Sequence, residues 1–279
     1  EHPYLTFQPN FESANVEVFK KLYLNGAVYR GRKPIHWCSH CHTALAEAEI
    51  EYSDETSPSI FVRFEMTSKP AGLENFDGPV DFIIWTTTPW TIPSDQAVSL
   101  KPGAAYVAVE HEGRAEVMLE DLAPKCCEEF GWEYTPVMVD GKPYVVPAET
   151  FHHIHYKQPI FDGVEGVALL ADYVGVDDGT GIVHNSPGHG VDDYFACLKE
   201  GITDICMPVD DDGKFYTGEE FGTGGPFSGM DTDEANPHII EFLRERGTLV
   251  LEKKITHSYP HCWRCKHPVL FRATDQWFV

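Results

Sequence analysis

The sequence predicts a mainly β protein with peripheral helices, an α+β chain built on a β-barrel core with a metal-bound β-ribbon stalk. Three observations carry that prediction. Short apolar runs recur with period two or as β-branched stretches, turn residues separate them, and only three segments hold a helical period. Cysteine pairs near both ends of the chain supply the ribbon.

The first element is an amphipathic helix over Phe11–Asn25, with Phe11, Val16, Phe19, Leu22 and Leu24 apolar and Gly26 closing it. "ALAEAEIEY" (Ala44–Tyr52) has helix-forming composition, but Glu47, Glu49 and Glu51 alternate with Ala46, Ala48, Ile50 and Tyr52, so it reads as a strand. Further strands fall at Ser59–Phe64 and Val80–Trp85, and a hairpin joins Tyr106–Val109 to Ala115–Leu119 through "HEGR". "DDGTGIVH" (Asp177–His184) is a tight turn entering a strand, with Gly179 and Gly181 at permissive positions. Helices over Val191–Glu200 and Glu234–Arg246 end at Gly201 and Gly247. The organisation that follows is an entry helix and first ribbon strand in residues 1–50, a barrel core in 51–250, and a returning ribbon strand in 251–279.

With 279 residues, 42% hydrophobic and 13% aromatic, the chain can bury a substantial core. No apolar run approaches the roughly 18–20 residues that cross a bilayer, and the opening Glu-His-Pro-Tyr is not a secretory signal. Lacking an initiator Met and stopping at "QWFV", the chain reads as an excised piece of something longer, expected to be cytoplasmic and monomeric. Charge is uneven: residues 1–50 and 244–279 balance at +4, whereas 51–243 balance at −27. So acidic a body is not expected to hold nucleic acid tightly by itself, because phosphate affinity comes mostly from Lys and Arg. High-salt adaptation explains the same imbalance.

Eight cysteines are too few and too clustered for a disulfide scaffold. "HWCSHCH" sets Cys38 and Cys41 two residues apart, and "HCWRCKH" repeats the spacing with Cys262 and Cys265. Two such turns together complete a tetrahedral Zn²⁺ site with no open position, hence structural. A redox dithiol would need only one motif, usually in a βαβ setting. His36, His40, His42, His261 and His267 lie nearby, but four thiolates leave no need of them. Cys126, Cys127, Cys197 and Cys206 read as ordinary buried or surface thiols; the "HHIH" run, His152, His153 and His155, invites a second metal assignment but reads rather as alternating histidines on a solvated strand.

Two polar constellations remain. "FIIWTTTPWTIPSDQ" (Phe82–Gln96) stacks hydroxyls between two tryptophans ahead of Pro93, where the simple alternative is β-branched filler at a strand end. "GTGIVHNSPGHGVDDY" (Gly179–Tyr194) gathers turn glycines, two histidines and two aspartates at a helix entrance. It is no serine-hydrolase elbow, because His184 stands where the first glycine should be. Nor does it carry the spacing of a catalytic zinc helix. Its aspartates also fit plain helix capping.

"WTTTPWTIP", "GTGIVH…PGHGVDDY", "WCSHCHTALAEAE" and "HSYPHCWRC…FRATDQWFV" together resemble the editing insertion of isoleucyl-tRNA synthetases, over essentially the whole chain. Valyl and leucyl relatives carry Thr-Thr-Arg-Pro where this chain has Thr86-Thr87-Thr88-Pro89, and lack the histidine at His184. The synthetic signatures His-Ile-Gly-His and Lys-Met-Ser-Lys-Ser do not occur here, so the resemblance implies editing without charging. It implies that the substrate is a tRNA(Ile) 3′ end bearing a misattached amino acid, and that the rest of a synthetase chain is a partner. By that likeness Asp193 holds the α-ammonium, His184 and Trp85 bound the side-chain space, and Thr86, Thr87 and Thr88 contact the aminoacyl group, the terminal adenosine and the attacking water. Trp90, Gly181 and His189 join the substrate-binding set. Asp95 joins it too, although the family usually has Asn at that position, which puts the carry-over of its role in doubt. The alternative is a metal-stapled tRNA-docking module without hydrolytic activity.

Overall fold

The computed structural model describes residues 3–279; Glu1 and His2, the first half of the opening Glu-His-Pro-Tyr, lie outside the described residues. In chain order the first half holds α1 (Pro9–Leu24), β1 (Tyr29–Cys38), β2 (Thr43–Leu45), β3 (Ile50–Glu65), β4 (Val80–Thr86), β5 (Ala97–Leu100), β6 (Ala105–His111), β7 (Arg114–Leu119) and α2 (Ala123–Phe130). The second half holds β8 (Met138–Val139), β9 (Lys142–Pro143), β10 (Val145–Pro147), β11 (His155–Lys157), β12 (Glu165–Leu170), β13 (Ile182–Asn185), α3 (Val191–Lys199), α4 (Thr232–Glu245), β14 (Leu249–Cys262) and β15 (Leu270–Phe278). Strands and few helices are thus found as expected. None of the described helices is long and apolar enough to cross a membrane.

The chain divides into two compact units, one of the described residues up to Lys33 with Ala273–Val279, the other of Pro34–Arg272. In the smaller unit α1 buries none of its side chains, and Tyr29 stacks on Phe278 at 5.7 Å beneath the Lys33 ammonium.

The larger unit carries a six-stranded sheet, β10-β6-β7-β4-β3-β14, and a four-stranded sheet, β11-β12-β5-β13. Strand β4 is buried on both faces, which is why "VDFIIWT" shows no alternation. The expected barrel does not close. Strands β10 and β14 end the larger sheet as edges, and no ladder joins β3 to β11 among the described residues, where one isolated bridge pairs Met66, just past β3, with Tyr156. The core between the sheets holds Phe64, Phe82, Phe151 and Tyr156, with Phe64 and Tyr156 stacked at 5.2 Å.

Strands β3 and β14 pair antiparallel from Leu249↔Val62 out to Cys262↔Ile50. The outer half of β3 is mostly polar and exposed, whereas that of β14 alternates exposed with half-buried residues and ends buried at His261 and Cys262; cross-strand pairs such as Thr56 and Thr256 at 2.9 Å hold the two together. This ribbon joins the two cysteine pairs' neighbourhood to the sheets, and its first strand runs through residues 50–57, inside the stretch expected to be core rather than within residues 1–50. The single strand expected over Ala44–Tyr52 is interrupted: β2 stops at Leu45, and Glu47–Glu49 forms a 3₁₀ turn before β3 begins. The Glu49 carboxylate accepts from the Ala46 N–H at 2.9 Å, a capping contact that alternation does not reveal. Helix α4 begins earlier than expected because Asp231 caps it, accepting from the Glu234 N–H at 2.8 Å. Only His155 of the histidine run lies on a strand; His152 and His153 precede β11 in a turn.

Candidate functional site

Strand β4 delivers Trp85 and Thr86 at its end, and the chain then turns sharply. Pro89 opens a 3₁₀ segment, Pro89–Ser94, whose φ it pre-sets. Within it hydroxyls replace a sheet ladder: Thr91 Oγ1 donates to the Thr88 carbonyl and Ser94 Oγ to the Thr91 carbonyl, each at 2.8 Å. Ahead of it, the Thr88 N–H donates to Thr86 Oγ1 at 3.1 Å, and the hydroxyls of Thr86 and Thr88 lie 3.2 Å apart. The threonine run is therefore a fixed array of hydroxyls rather than filler.

The opposite wall comes from β13 and α3. Pairing of β13 with β5 sets His184 opposite Val98. Asp193, in the first turn of α3, folds back so that Oδ2 accepts from the Ser186 N–H at 3.0 Å, while Oδ1 accepts from the Tyr173 hydroxyl at 2.9 Å. A Cβ on Gly190 would meet Asp193 Oδ2 at 2.3 Å, so the glycine at the helix entrance makes room for that carboxylate. The carboxylate makes no capping hydrogen bond to α3, so the plain capping expected as an alternative is not what Asp193 does, although its place in the first turn favours negative charge.

Together these walls enclose a cavity of about 290 Å³ lined by Trp85, Thr86, Thr87, Thr88, Thr91, Val183, His184, Ser186, His189 and Asp193. Thr87 and Thr88 also line a neighbouring groove of about 590 Å³, and so form the sill between the two. That groove carries Glu55, Asp212, Asp231 and Asp233 against Lys214. Trp90 lies on the groove side, its N–H donating to Asn236 Oδ1 at 3.0 Å and its ring edge-on to His189 at 4.7 Å.

Asp95 and Gly181 stand behind the cavity rather than in its lining. Asp95 is fully buried, accepts from the Tyr156 hydroxyl, and sits 3.3 Å from His184 Nδ1, off hydrogen-bond geometry. His184 Nε2 meets Thr91 Oγ1 at 3.1 Å, so Asp95, His184 and Thr91 form one buried row. Gly181 has φ +73°, and a Cβ there would meet the Leu119 Cβ at 2.4 Å; its carbonyl accepts from the Tyr106 hydroxyl at 2.6 Å. Its place is that of a turn packed against β7.

Burial governs the charges. It pushes the Asp193 carboxyl above the ordinary aspartate range and carries Asp95 up to about 6, with His184 and Tyr156 pulling the other way. Burial also lowers His189 to about 4. Its Nδ1 lies 2.8 Å from the Phe271 carbonyl, which only an N–H can satisfy, so the Nε2 lone pair is left buried without a partner. The cavity thus offers a carboxylate, hydroxyls and a neutral imidazole, and no Lys or Arg lines it. Such a lining receives a cationic, hydrogen-bonding group in preference to a phosphate.

Thr91 and Ser186 line the cavity but were not singled out by the sequence. Thr91 follows Thr88 by one 3₁₀ turn and Ser186 lies two residues beyond His184, so both were within local reach. Tyr173 and Tyr156 reach the site from distant segments, and no local pattern marks them.

Cys38, Cys41, Cys262 and Cys265 converge as expected, their sulfurs all within 4.8 Å of one another. A Zn–S distance of about 2.3 Å sets tetrahedral sulfurs about 3.8 Å apart, so the donor set fits a single ion. The Cys41 N–H donates to Cys38 Sγ at 3.3 Å. Burial pushes the Cys262 thiol up, but the N–H groups of Cys265 and Arg264 outweigh it and bring it to about 7. Of the nearby histidines, His40 stacks on His267 at 4.2 Å and His36 on Phe271 at 4.3 Å. Cys126, Cys127, Cys197 and Cys206 are buried free thiols.

Over residues 1–279 the chain matches the family model described as tRNA synthetases class I (I, L, M and V), and it belongs to that family. Within it, the chain is 44% identical over 285 residues to the isoleucine–tRNA ligase of Desulfovibrio desulfuricans, covering all of this chain and 29% of that protein. It is 46% identical over 281 residues to that of Nitratidesulfovibrio vulgaris (strain Miyazaki F), again covering all of this chain and 29% of the relative. The chain therefore spans less than a third of the length of these relatives. Its fold is that of connective-peptide editing domains. The crystal structure of GlLeuRS-CP1 superimposes with a TM-score of 0.53 at 14% identity, over 70% of this chain and 99% of that one. The cytosolic leucyl-tRNA synthetase editing domain of P. knowlesi does so with 0.52 at 10% identity, over 71% and 96%.

Proposed function

We propose that this chain is the editing region of an isoleucyl-tRNA synthetase and that its cavity hydrolyses valine from mischarged tRNA(Ile) while sparing isoleucine. The observation that carries this reading is the Asp193 carboxylate, fixed by Ser186 and Tyr173, in a cavity whose other polar side chains are hydroxyls and imidazoles beside Trp85 and Val183. An aminoacyl ester brings one cation, its α-ammonium. Asp193, held by Ser186 and Tyr173, has lone pairs to receive it, and the ester carbonyl is then oriented over the threonine run. Water held by the hydroxyls of Thr87 and Thr88 adds to the carbonyl carbon. The bond from that carbon to the ribose oxygen breaks, and the ribose oxygen takes a proton from the water. The amino acid leaves as a carboxylate, with the second proton passing to solvent. The Thr88 and Thr86 hydroxyls can donate to the oxygen that becomes negative during addition. At the stalk, the four cysteines hold a structural Zn²⁺.

The need for a second sieve follows from magnitudes. One methylene is worth only about 1–3 kcal/mol of discrimination, and isoleucine against valine in isoleucyl-tRNA synthetases is the standard illustration of that limit. A synthetic pocket rejects a smaller side chain poorly. A second cavity can reject the larger one, because overpacking a rigid wall by a methylene costs about 1–3 kcal/mol. His184 and Trp85 are the walls this reading assigns.

The test is a paired deacylation time course on Val-tRNA(Ile) and Ile-tRNA(Ile). Wild type should cleave the first and spare the second, and His184→Ala should cleave both. Equal cleavage of both by wild type would remove the sieve from this cavity; no cleavage of either would favour a tRNA-docking module.

A further inference from the structure

We propose a second metal site, formed by His152, His153 and Glu200, for a borderline divalent transition ion such as Zn²⁺. His152 and His153 follow the 3₁₀ turn Ala148–Phe151, and Glu200 closes α3. Glu200 Oε2 lies 3.5 Å from His152 Nε2 and 3.2 Å from His153 Nε2. The two imidazoles lie side by side at a tilt of 32°, their centroids 3.8 Å apart. Neighbouring residues of an extended chain point to opposite sides. These two point to one side because His153 adopts φ +65°, a left-handed conformation that disfavours a residue with a side chain. The His153 N–H, donating to the Ala168 carbonyl at 2.8 Å, holds it there.

An ordinary ion pair does not account for the cluster. His153 Nε2 makes the one hydrogen bond to Glu200, and His152 Nε2 is left buried with no partner. Charging both rings would press two cations together at contact distance. A metal ion satisfies all three groups at once. Metal–nitrogen and metal–oxygen distances of about 2.0–2.1 Å set tetrahedral donors about 3.3–3.4 Å apart, close to both nitrogen–oxygen separations seen here. Two imidazoles and one carboxylate select zinc, nickel or copper over magnesium or calcium, which take oxygen ligands. Three protein donors leave a fourth position for water. The ion fastens the C-terminal end of α3 to the segment before β11. Because α3 carries Asp193 in its first turn, occupancy stiffens the element that presents that carboxylate. This last link rests on the editing function proposed above; the binding itself does not.

Calorimetric titration of Zn²⁺ into the whole chain, with metal content measured on the same sample, separates this site from the four cysteines. One further equivalent should bind beyond the cysteine-held ion, and Mg²⁺ should give none. His153→Asn and Glu200→Gln should each weaken that step at least about tenfold, since losing even an outer-shell partner of a metal ligand costs about 10–100-fold. Cys262→Ser should leave the step unchanged. Circular dichroism checks that each variant folds. No further equivalent, or one that survives both substitutions, overturns the proposal. Neither result bears on deacylation, so the site and the editing function fail separately.

Discussion

The cysteine knuckle and the threonine cavity are both small polar clusters, yet they satisfy their groups in opposite ways. At the knuckle four equivalent donors converge on one point, and nothing is left over for a substrate. In the cavity the groups are only partly satisfied: Asp193 accepts two hydrogen bonds and keeps lone pairs, and His189 Nε2 has no partner among the described residues. A buried group short of partners costs free energy in the empty protein, and at a cavity wall a bound ligand is placed to complete it. Saturation marks the staple and incompleteness marks the site.

That contrast breaks most visibly at Asp193. Asp193→Asn keeps an oxygen and nearly the same shape but removes the charge that the proposed function assigns to the substrate ammonium. Deacylation of Val-tRNA(Ile) should fall by two orders of magnitude or more, because a buried charge-assisted contact is worth about 3 kcal/mol. Single-turnover kinetics with folding checked by circular dichroism would measure it. Asp192→Ala, at an exposed neighbour, should cost far less. Reversed effects would mean that the ammonium anchor is one residue away.

A smaller effect is expected at the staple. Cys262→Ser should lower the cysteine-held share of the zinc found by elemental analysis and raise proteolytic sensitivity along the outer halves of β3 and β14. Deacylation should change little, because the cavity is walled by β4, β13 and α3 rather than by the ribbon. If the variant loses activity as fully as Asp193→Asn, the knuckle and the cavity are one cooperative unit and the contrast between them fails.

The same contrast explains what the sequence disclosed. Cys-x-x-Cys is a local motif, so its four ligands were readable from spacing alone, as were the ends of α3. The cavity was readable only in halves. Thr86–Thr88 and His184–Asp193 each stood out, but what joins them is the pairing of β5 with β13, a register that no single segment encodes. Asp95 lies six residues after Pro89 and still ended behind His184, because the 3₁₀ turn swings it inward. The barrel was over-read for a related reason. Period-two runs establish strands, whereas closure depends on whether edges meet, and here β10 and β14 remain edges.

Asp95 supplies the last test, read in stability rather than in rate. Its carboxyl is pushed up to about 6 by burial, against an ordinary value of 3.8, so the folded protein holds a proton that the unfolded chain has released. A carboxyl raised on folding contributes stability that is fully present below the unfolded value and is lost as pH rises through the folded one. Between about pH 4 and 6 the loss approaches 1.4 kcal/mol per pH unit, about 3 kcal/mol in all. Asp95→Asn cannot titrate, so the stability difference, variant minus wild type, should climb across that window and level off above it. Loss of the carboxylate beside His184 Nδ1 offsets part of the gain but does not change its direction below pH 6. Urea unfolding of both proteins at half-unit steps from pH 4 to 7.5 measures the difference. A flat difference would show that Asp95 is ionised throughout. The buried row of Asp95, His184 and Thr91 would then belong with the saturated clusters, alongside the knuckle.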